Sequence, residues 1–309
     1  MATDTVLFQV AAFILAPLML GVISKTKAIM AGRTGAPILQ PYFDIWKLLQ
    51  KGAVYSTTTT WVFRAGPVVG LAAIATAMLL LPIGMVDAPM AFNGDLLVFA
   101  GLLGLMRFFT VLAALDTGSS FEGMGASREV TLAAVAEVPL FLSLAAIALV
   151  SGSVSLSDML GGGVASAWLS TSGPPLILVV SALFLVLLAE NARIPVDDPN
   201  THLELTMIHE VMVLDHSGPD FGFITYASAL KLLAFSTLLL GLVLPVNTGS
   251  AAVDGVVFLA GVLMMAMLIG IIESLMARLR MMQVPQMLMG AGLMAVLAVV
   301  LVIIVRGYG

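Results

Sequence analysis

The chain has 309 residues, of which 60% are hydrophobic and 10% charged, against roughly 45–50% apolar and about 25% charged in soluble domains. With a mean hydropathy of +1.10 and 13 Lys and Arg against 18 Asp and Glu, a net charge of −5, it lacks the polar surface of a water-soluble globule. Long apolar blocks without a heptad exclude disorder and coiled coil too, and with no cysteine the chain holds neither disulfides nor thiolate-bound iron–sulfur clusters.

A helix crosses the hydrocarbon core with about 20 mostly apolar residues, sometimes 17. Eight stretches qualify: Leu7–Ile23, Val62–Val86, Leu96–Leu115, Leu132–Val150, Leu176–Ala189, Ala227–Leu244, Val256–Ile272 and Leu288–Val305. The expected fold is an all-α integral membrane protein, one polytopic domain over residues 1–309, with inner loops at about 24–61, 116–130, 191–226 and 274–286. The first stretch is not a cleavable leader, because it has no basic start, Asp4 is acidic and the apolar run is too long. No internal repeat or low-complexity tract is seen, which gives inverted-repeat transporters no support.

After the first span, Tyr42, Ile45, Trp46 and Leu49 recur at helical spacing, with Asp44, Lys47 and Lys51 on the other side. This predicts an amphipathic helix in the membrane interface, or one packed on the bundle. The third span carries Arg107 and ends at Asp116. The following loop contains Gly123 and Gly125, but Arg128 occupies the place of a third glycine and no strand precedes it, so a dinucleotide site is rejected. The fourth span carries Glu137 at a depth similar to that of Arg107, roughly 10 Å from the inner end at 1.5 Å per residue. Charges at such depth are costly and need a partner or a purpose. The two are expected to pair directly or to line one polar cavity, either as a structural ion pair or as a proton-path carboxylate with its counter-ion.

Pro174 and Pro175 open the fifth span, where a helix tolerates proline, and Glu190 ends it. In the loop beyond, Thr201 and Glu204 form a capping box that predicts a short surface helix. His209-Glu210 begins an H-E-x-x-H pattern, yet Val213 stands where the second ligand belongs, so zinc is not expected. His202, His209 and His216 recur every seven residues and read as surface or interface histidines. Asp197-Asp198 has no second acidic cluster to complete a magnesium–diphosphate site. Lys231 lies a few residues into the sixth span, and Glu273 ends the seventh. Asp116, Glu190 and Glu273 each read as interfacial end-groups.

With the N-terminus outside, the inner loops and helix ends hold Lys25, Lys27, Arg33, Lys47, Lys51, Arg64, Arg107, Arg128, Arg193, Lys231, Arg278 and Arg280, leaving only Arg306 outside. That asymmetry is a strong positive-inside pattern and places both termini on the non-cytoplasmic side. No buried acid or base is expected in the outer halves of the spans. The chain therefore reads as half an ion path, a poor candidate for a pump by itself.

The loops also carry a resemblance. Arg33-Thr-Gly35-Ala-Pro37, Leu39-Gln40-Pro41, Asp44 and Lys47-Leu-Leu49 resemble the first cytoplasmic loop of the complex I subunit 1 family. Gly125-Ala-Ser-Arg128-Glu129 with Glu137-Val-Pro139 is similar to its second signature, and Glu190, Arg193, Pro195, Asp197, Glu204-Leu205 and Ser217-Gly218 to its third. The stretch from Asp197 to Glu210, then Leu214-Asp-His-Ser-Gly218, looks like the group 4 membrane-bound nickel–iron hydrogenases, the hydrogenase-4 component C group and its formate hydrogenlyase relatives. Glu273-Ser274 with Met276-Ala-Arg278-Leu-Arg280 is similar to that branch.

The resemblance implies a non-catalytic anchor and coupling subunit in the inner, cytoplasmic membrane. Such a subunit joins nickel–iron hydrogenase-like large and small subunits and iron–sulfur proteins to antiporter-like membrane subunits, and binds no nucleic acid. It implies no cofactor in this chain; the nickel–iron centre and clusters would belong to the partners. A charged proton path is implied for Glu137, Arg107, Asp116, Glu190, Glu204, Glu210, Asp197, Glu273 and Lys231. The interface with the peripheral arm is implied for Arg33, Asp44, Lys47, Arg128, Glu129, Arg193 and Asp215. A quinone-site subunit of respiratory complex I and a stand-alone secondary transporter are the alternatives.

Overall fold

A computed structural model describes residues 2–84, 86–168, 170, 173–197, 208–245 and 248–308. Eight helices in it are long and apolar enough to cross a membrane. They are α1 (Ala2–Met30), α3 (Trp61–Leu79), α4 (Asp95–Asp116), α5 (Ser120–Ser151), α8 (Gly173–Glu190), α9 (Gly218–Val243), α10 (Ala251–Leu275) and α11 (Val284–Tyr308). Three shorter α-helices, α2 (Gln40–Leu49), α6 (Leu156–Leu160) and α7 (Gly162–Trp168), and two 3₁₀ turns, Glu210–Val213 and Met281–Gln283, complete the described fold. Among the described residues no strand forms, beyond an isolated bridge between Ile83 and Val86. The chain is a multi-pass membrane protein.

Closed helices satisfy their own backbone polar groups, which lipid cannot do. Small residues then let the helices approach. Gly66 and Gly70 of α3 lie against α4, where a Cβ on Gly66 would come within 2.8 Å of the Ala113 Cβ. Gly270 of α10 lies against Thr26 of α1 in the same way. The most buried span is α9, and the main apolar core gathers around its Leu232, Leu233 and Leu239.

The end of the bundle rich in Lys and Arg is the basic end. There α2 lies across α1 and α9. Tyr42 of α2 donates its hydroxyl to the Ile14 carbonyl of α1, and Leu48 and Leu49 border Gly222 of α9. The apolar surface of α2 is divided. Tyr42, Ile45 and Leu48 are half-buried toward the bundle, whereas Phe43 and Trp46 stay exposed, as an interfacial helix requires.

Several boundaries differ from the sequence reading: α1 runs on to Met30 past the expected Ile23, and α9 starts at Gly218 inside the expected loop 191–226. Span two stops at Leu79, because Pro82 and the left-handed Gly84 turn the chain there into a buried bend. The expected loop 116–130 is almost all helix: α5 starts at Ser120, directly after the left-handed Gly118. At the opposite end of the bundle, where the sequence predicts no buried acid, Asp95 and Asp254 are buried. Asp95 accepts hydrogen bonds from the Leu156 backbone N–H at 2.6 Å and the Ser155 hydroxyl at 3.2 Å. Asp254 accepts from the Thr248 backbone N–H at 2.9 Å and its hydroxyl at 2.7 Å. Both tie chain segments to helix starts.

Candidate functional site

Arg107 projects from the middle of α4 into a junction of four spans. Its Nη1 meets Glu137 of α5, its Nη2 meets Glu190 of α8 at 2.5 Å, and its Nε lies 3.5 Å from Glu129 of α5. The second oxygen of Glu190 receives Lys231 of α9 at 2.8 Å. The second oxygen of Glu129 lies 3.3 Å from Nε2 of His209, just before a 3₁₀ turn over Glu210–Val213. Glu129 and Glu137 are both on α5, eight residues apart, so two turns of one helix present two carboxylates to one guanidinium.

Local chain geometry holds this network. At the end of α8, Ala192 takes the left-handed conformation (φ 49°) and the Arg193 backbone N–H bonds the Leu188 carbonyl at 2.9 Å. That closing turn ends the helix just after Glu190. Gly125 of α5 faces the 3₁₀ turn; any Cβ there would run into Val211, and would sit 3.1 Å from the Ile208 carbonyl. The glycine thus lets the turn carrying His209 press against α5 one helical turn from Glu129. At the other side of the turn, Glu122 accepts the Asp215 backbone N–H at 3.1 Å.

The network borders a cavity of about 310 Å³, lined on its polar side by Arg107, Glu129, Glu190, Arg193, Asp197, His209, Glu210 and Lys231 and on its apolar side by Leu20, Met106, Met212, Phe221 and Ile224. Further ion pairs brace its basic-end rim. Glu273 of α10 receives Lys27 of α1 at 2.8 Å and Arg193 at 3.4 Å, and Asp197 receives Arg278 at 2.7 Å. Glu190 and Glu273, read from sequence as interfacial end-groups, are buried.

Asp116 has a different task. It accepts from the Thr60 backbone N–H at 2.7 Å, the Thr60 hydroxyl at 2.8 Å and the Phe63 N–H at 3.3 Å. A carboxylate at the start of α3 satisfies free N–H groups and complements the helix dipole; it stands apart from the Arg107 network. Arg33, Asp44, Lys47 and Asp215 are exposed at the basic end, with Arg128 half-buried beside Met124 of its own helix. Glu204, together with the Thr201 cap, His202 and Asp198, falls outside the described residues. The seven-residue histidine spacing does not give one face: His209 turns to Glu129, whereas His216 is buried and stacked on Phe63 at 3.9 Å between ring centroids. Burial pushes the His216 imidazole down to about 4, with Asp220 and Asp215 pulling it up.

Glu129, Glu137 and Glu190 face two fixed cations, Arg107 and Lys231, which leaves one negative charge in excess. Buried charges this close are coupled, so moving one proton shifts the whole set.

The family model described as NADH dehydrogenase matches residues 3–305. The chain is 32% identical over 274 residues to formate hydrogenlyase subunit 4 of Escherichia coli (strain K12), covering 87% of this chain and 88% of that one. It is 33% identical over 270 residues to hydrogenase-4 component C of the same bacterium, covering 85% and 84%. To an NADH-quinone oxidoreductase subunit of Rubrobacter xylanophilus it is 30% identical over 209 residues, covering 66% and 62%. Among solved structures, a chain of the archaeal membrane-bound sulfane sulfur reductase, a respiratory membrane complex, superposes with a TM-score of 0.79 at 22% identity, over 97% of this chain and 98% of that one. The fold is the same.

Proposed function

This chain belongs to the NADH dehydrogenase family, and we propose that it is the membrane anchor and coupling subunit of an energy-converting hydrogenase or formate hydrogenlyase-type complex. The observation that carries the proposal is the Arg107 network: five ionisable side chains from four membrane spans, opening on a cavity at the basic end. Its relatives over more than four-fifths of both chains are named as subunits of formate hydrogenlyase and hydrogenase-4. On this proposal the basic end faces the cytoplasm of the cell membrane, both termini face away, and a peripheral redox arm sits over Arg33, Asp44, Lys47, Arg128 and Asp215. Electron arrival in that arm changes charge near the cavity. Glu129, His209 and Glu210 respond first, and Arg107 relays the change to Glu137 and Glu190. The rim residues Arg193, Asp197 and Glu273 hold the loops to the helix ends, while Glu204 lies in the adjoining loop as a further candidate acid. The nickel–iron centre and iron–sulfur clusters are carried by partner chains.

Affinity purification from native membranes in mild detergent, followed by mass spectrometry, tests this. A nickel–iron large subunit, iron–sulfur proteins and antiporter-like membrane chains are the expected companions. Recovery of NADH-oxidising subunits would contradict it.

A second reading has an observation of its own. The cavity has the size and mixed lining of a small-molecule site, which suits a quinone-site subunit, the class suggested by the NADH-quinone oxidoreductase relatives. Quinone in the purified complex, or loss of activity with quinone-site inhibitors, would favour it.

A further inference from the structure

We propose that a small cavity between α3, α4 and α9 holds one ordered water bound to His216, and that the two together pass protons between the basic-end surface and the main cavity by a way separate from the Arg107 network. The inference goes beyond the subunit assignment and stands whichever complex the chain belongs to.

The cavity measures about 20 Å³. A water needs roughly 10–15 Å³ of such space and two to four polar partners. Small residues make the gap: Gly66 and Gly70 on α3, Ala113 on α4 and Ala227 on α9. The polar side chains in its wall are His216 and Thr110. His216 is 7% exposed, and its Nδ1 is buried without a hydrogen-bond partner among the described residues. Such a nitrogen is costly to leave unmatched, and ordered water is the common partner of buried polar groups. The Thr110 hydroxyl donates to the Met106 carbonyl at 2.9 Å, which leaves lone pairs on its own oxygen to accept from a water.

The position of this water makes it a link. Met106, Thr110 and Ile224 line both the small cavity and the 310 Å³ cavity, so one layer of side chains separates the two. On the other side, His216 stacks on Phe63 at 3.9 Å between centroids, and Tyr55 meets the same ring edge-on at 6.4 Å. Tyr55 is half-buried, and its hydroxyl faces the Asp220 carboxylate. Asp220 is buried in the first turn of α9, and its charge acts on the His216 ring. Tyr55, Asp220, His216, the water and Thr110 form one file from the surface of the segment after α2 to the wall of the main cavity.

The imidazole is fit for this role. Burial keeps it neutral above about pH 4, and a neutral ring has one N–H and one nitrogen that accepts. It takes a proton on one nitrogen as it gives one up from the other, so no net charge stays on the ring. A half-turn about the Cβ–Cγ bond, which returns the ring to the same plane against Phe63, resets it.

Two substitutions test the water and the ring separately. A Cβ at Gly70 has a single neighbour within 4 Å, the Met106 Cγ at 3.7 Å, so Gly70→Ala fills the cavity without a clash. His216→Phe keeps the stacked ring and removes both nitrogens. The intact assembly containing this chain is purified and imaged by cryo-electron microscopy at a resolution that shows ordered waters in the bundle. The native protein should show a water peak within hydrogen-bond distance of His216, and Gly70→Ala should not. Transfer to D2O is then followed by infrared spectroscopy in the bands that disappear in Arg107→Lys, which belong to the network beside the main cavity. Exchange in those bands should slow several-fold in both variants. A native map without the water peak, or a peak unchanged by Gly70→Ala, would overturn the site. Exchange as fast as in the native chain in either variant would overturn the relay. Where one variant fails to assemble, the other is read alone. Neither measurement depends on which partners are present, so failure here leaves the coupling-subunit reading standing.

Discussion

Glu190 illustrates how a charge is kept inside an apolar bundle. Removing an ion from water costs several kcal/mol even after relaxation, and one partner rarely repays it. Glu190 has two, Arg107 on one oxygen and Lys231 on the other. The Arg107–Glu137 contact was legible in the sequence, because two oppositely directed spans place the residues at one depth. Only the family resemblance groups Glu190 and Lys231 with that pair, together with Asp116, which stands apart, and it assigns Glu129 instead to the peripheral-arm interface. The convergence of Glu129, Glu190 and Lys231 depends on how four helices rotate about their axes, and hydropathy says nothing about rotation. His216 is the other residue whose role comes from packing. Its imidazole lies flat on Phe63 and titrates near 4 instead of near 6.5. The unfolded chain therefore takes up a proton before the folded one does. The resulting stability is full above pH 6.5 and is lost as pH falls toward 4, by up to about 3 kcal/mol at 1.36 kcal/mol per pKa unit. Thermal unfolding of the detergent-solubilised protein should show a midpoint that drops across this window. His216→Phe, which keeps the stacked ring and removes the titration, should flatten the drop; an unchanged pH profile would contradict the account.

At the scale of elements, the spans and the amphipathic α2 were readable from apolar length and helical spacing. The start of α5 was not. The run from Gly123 to Ser127 has the small-residue composition of a loop, yet it is helix, because Gly125 is the contact point for the 3₁₀ turn that carries His209 toward Glu129. The Ser217-Gly218 pair acquires a physical reason as well. The Ser217 hydroxyl accepts the Val54 N–H at 3.0 Å, fastening the start of α9 to the segment after α2. Gly218 adopts φ +56°, and a Cβ there would lie 2.6 Å from the Gly52 carbonyl oxygen. Left-handed backbone alone costs a non-glycine residue about 1–2 kcal/mol, and the carbonyl clash adds to it. Gly218→Ala should lower the yield of assembled complex and speed proteolysis between residues 50 and 60. Gly52→Ala, with open space at its Cβ, should do neither. Equal behaviour of the two variants would show that the close approach carries no weight.

For the whole molecule, the distribution of charge matters more than its total. The ion network, the cavity and the braced loops all lie toward the basic end, while at the other end Asp95 caps the start of α6 and Asp254 ties the preceding loop to α10. The clustering of lysines and arginines toward that basic end was visible in the sequence, whereas the burial of Asp95 and Asp254 at the other end was not. The cavity itself was not visible, since it is a gap left between α1, α4, α5, α8 and α9 and the 3₁₀ turn. Under the proposed coupling role, Glu137 is the outward end of the network. The most direct test is the ratio of ions moved to electrons transferred, measured for the intact complex in sealed vesicles with Glu137 and with Glu137→Gln. The account predicts that electron transfer continues in the variant while ion uptake per electron falls several-fold, because the link from Arg107 outward is cut. An unchanged ratio at unchanged turnover would contradict the claim that this network couples the two.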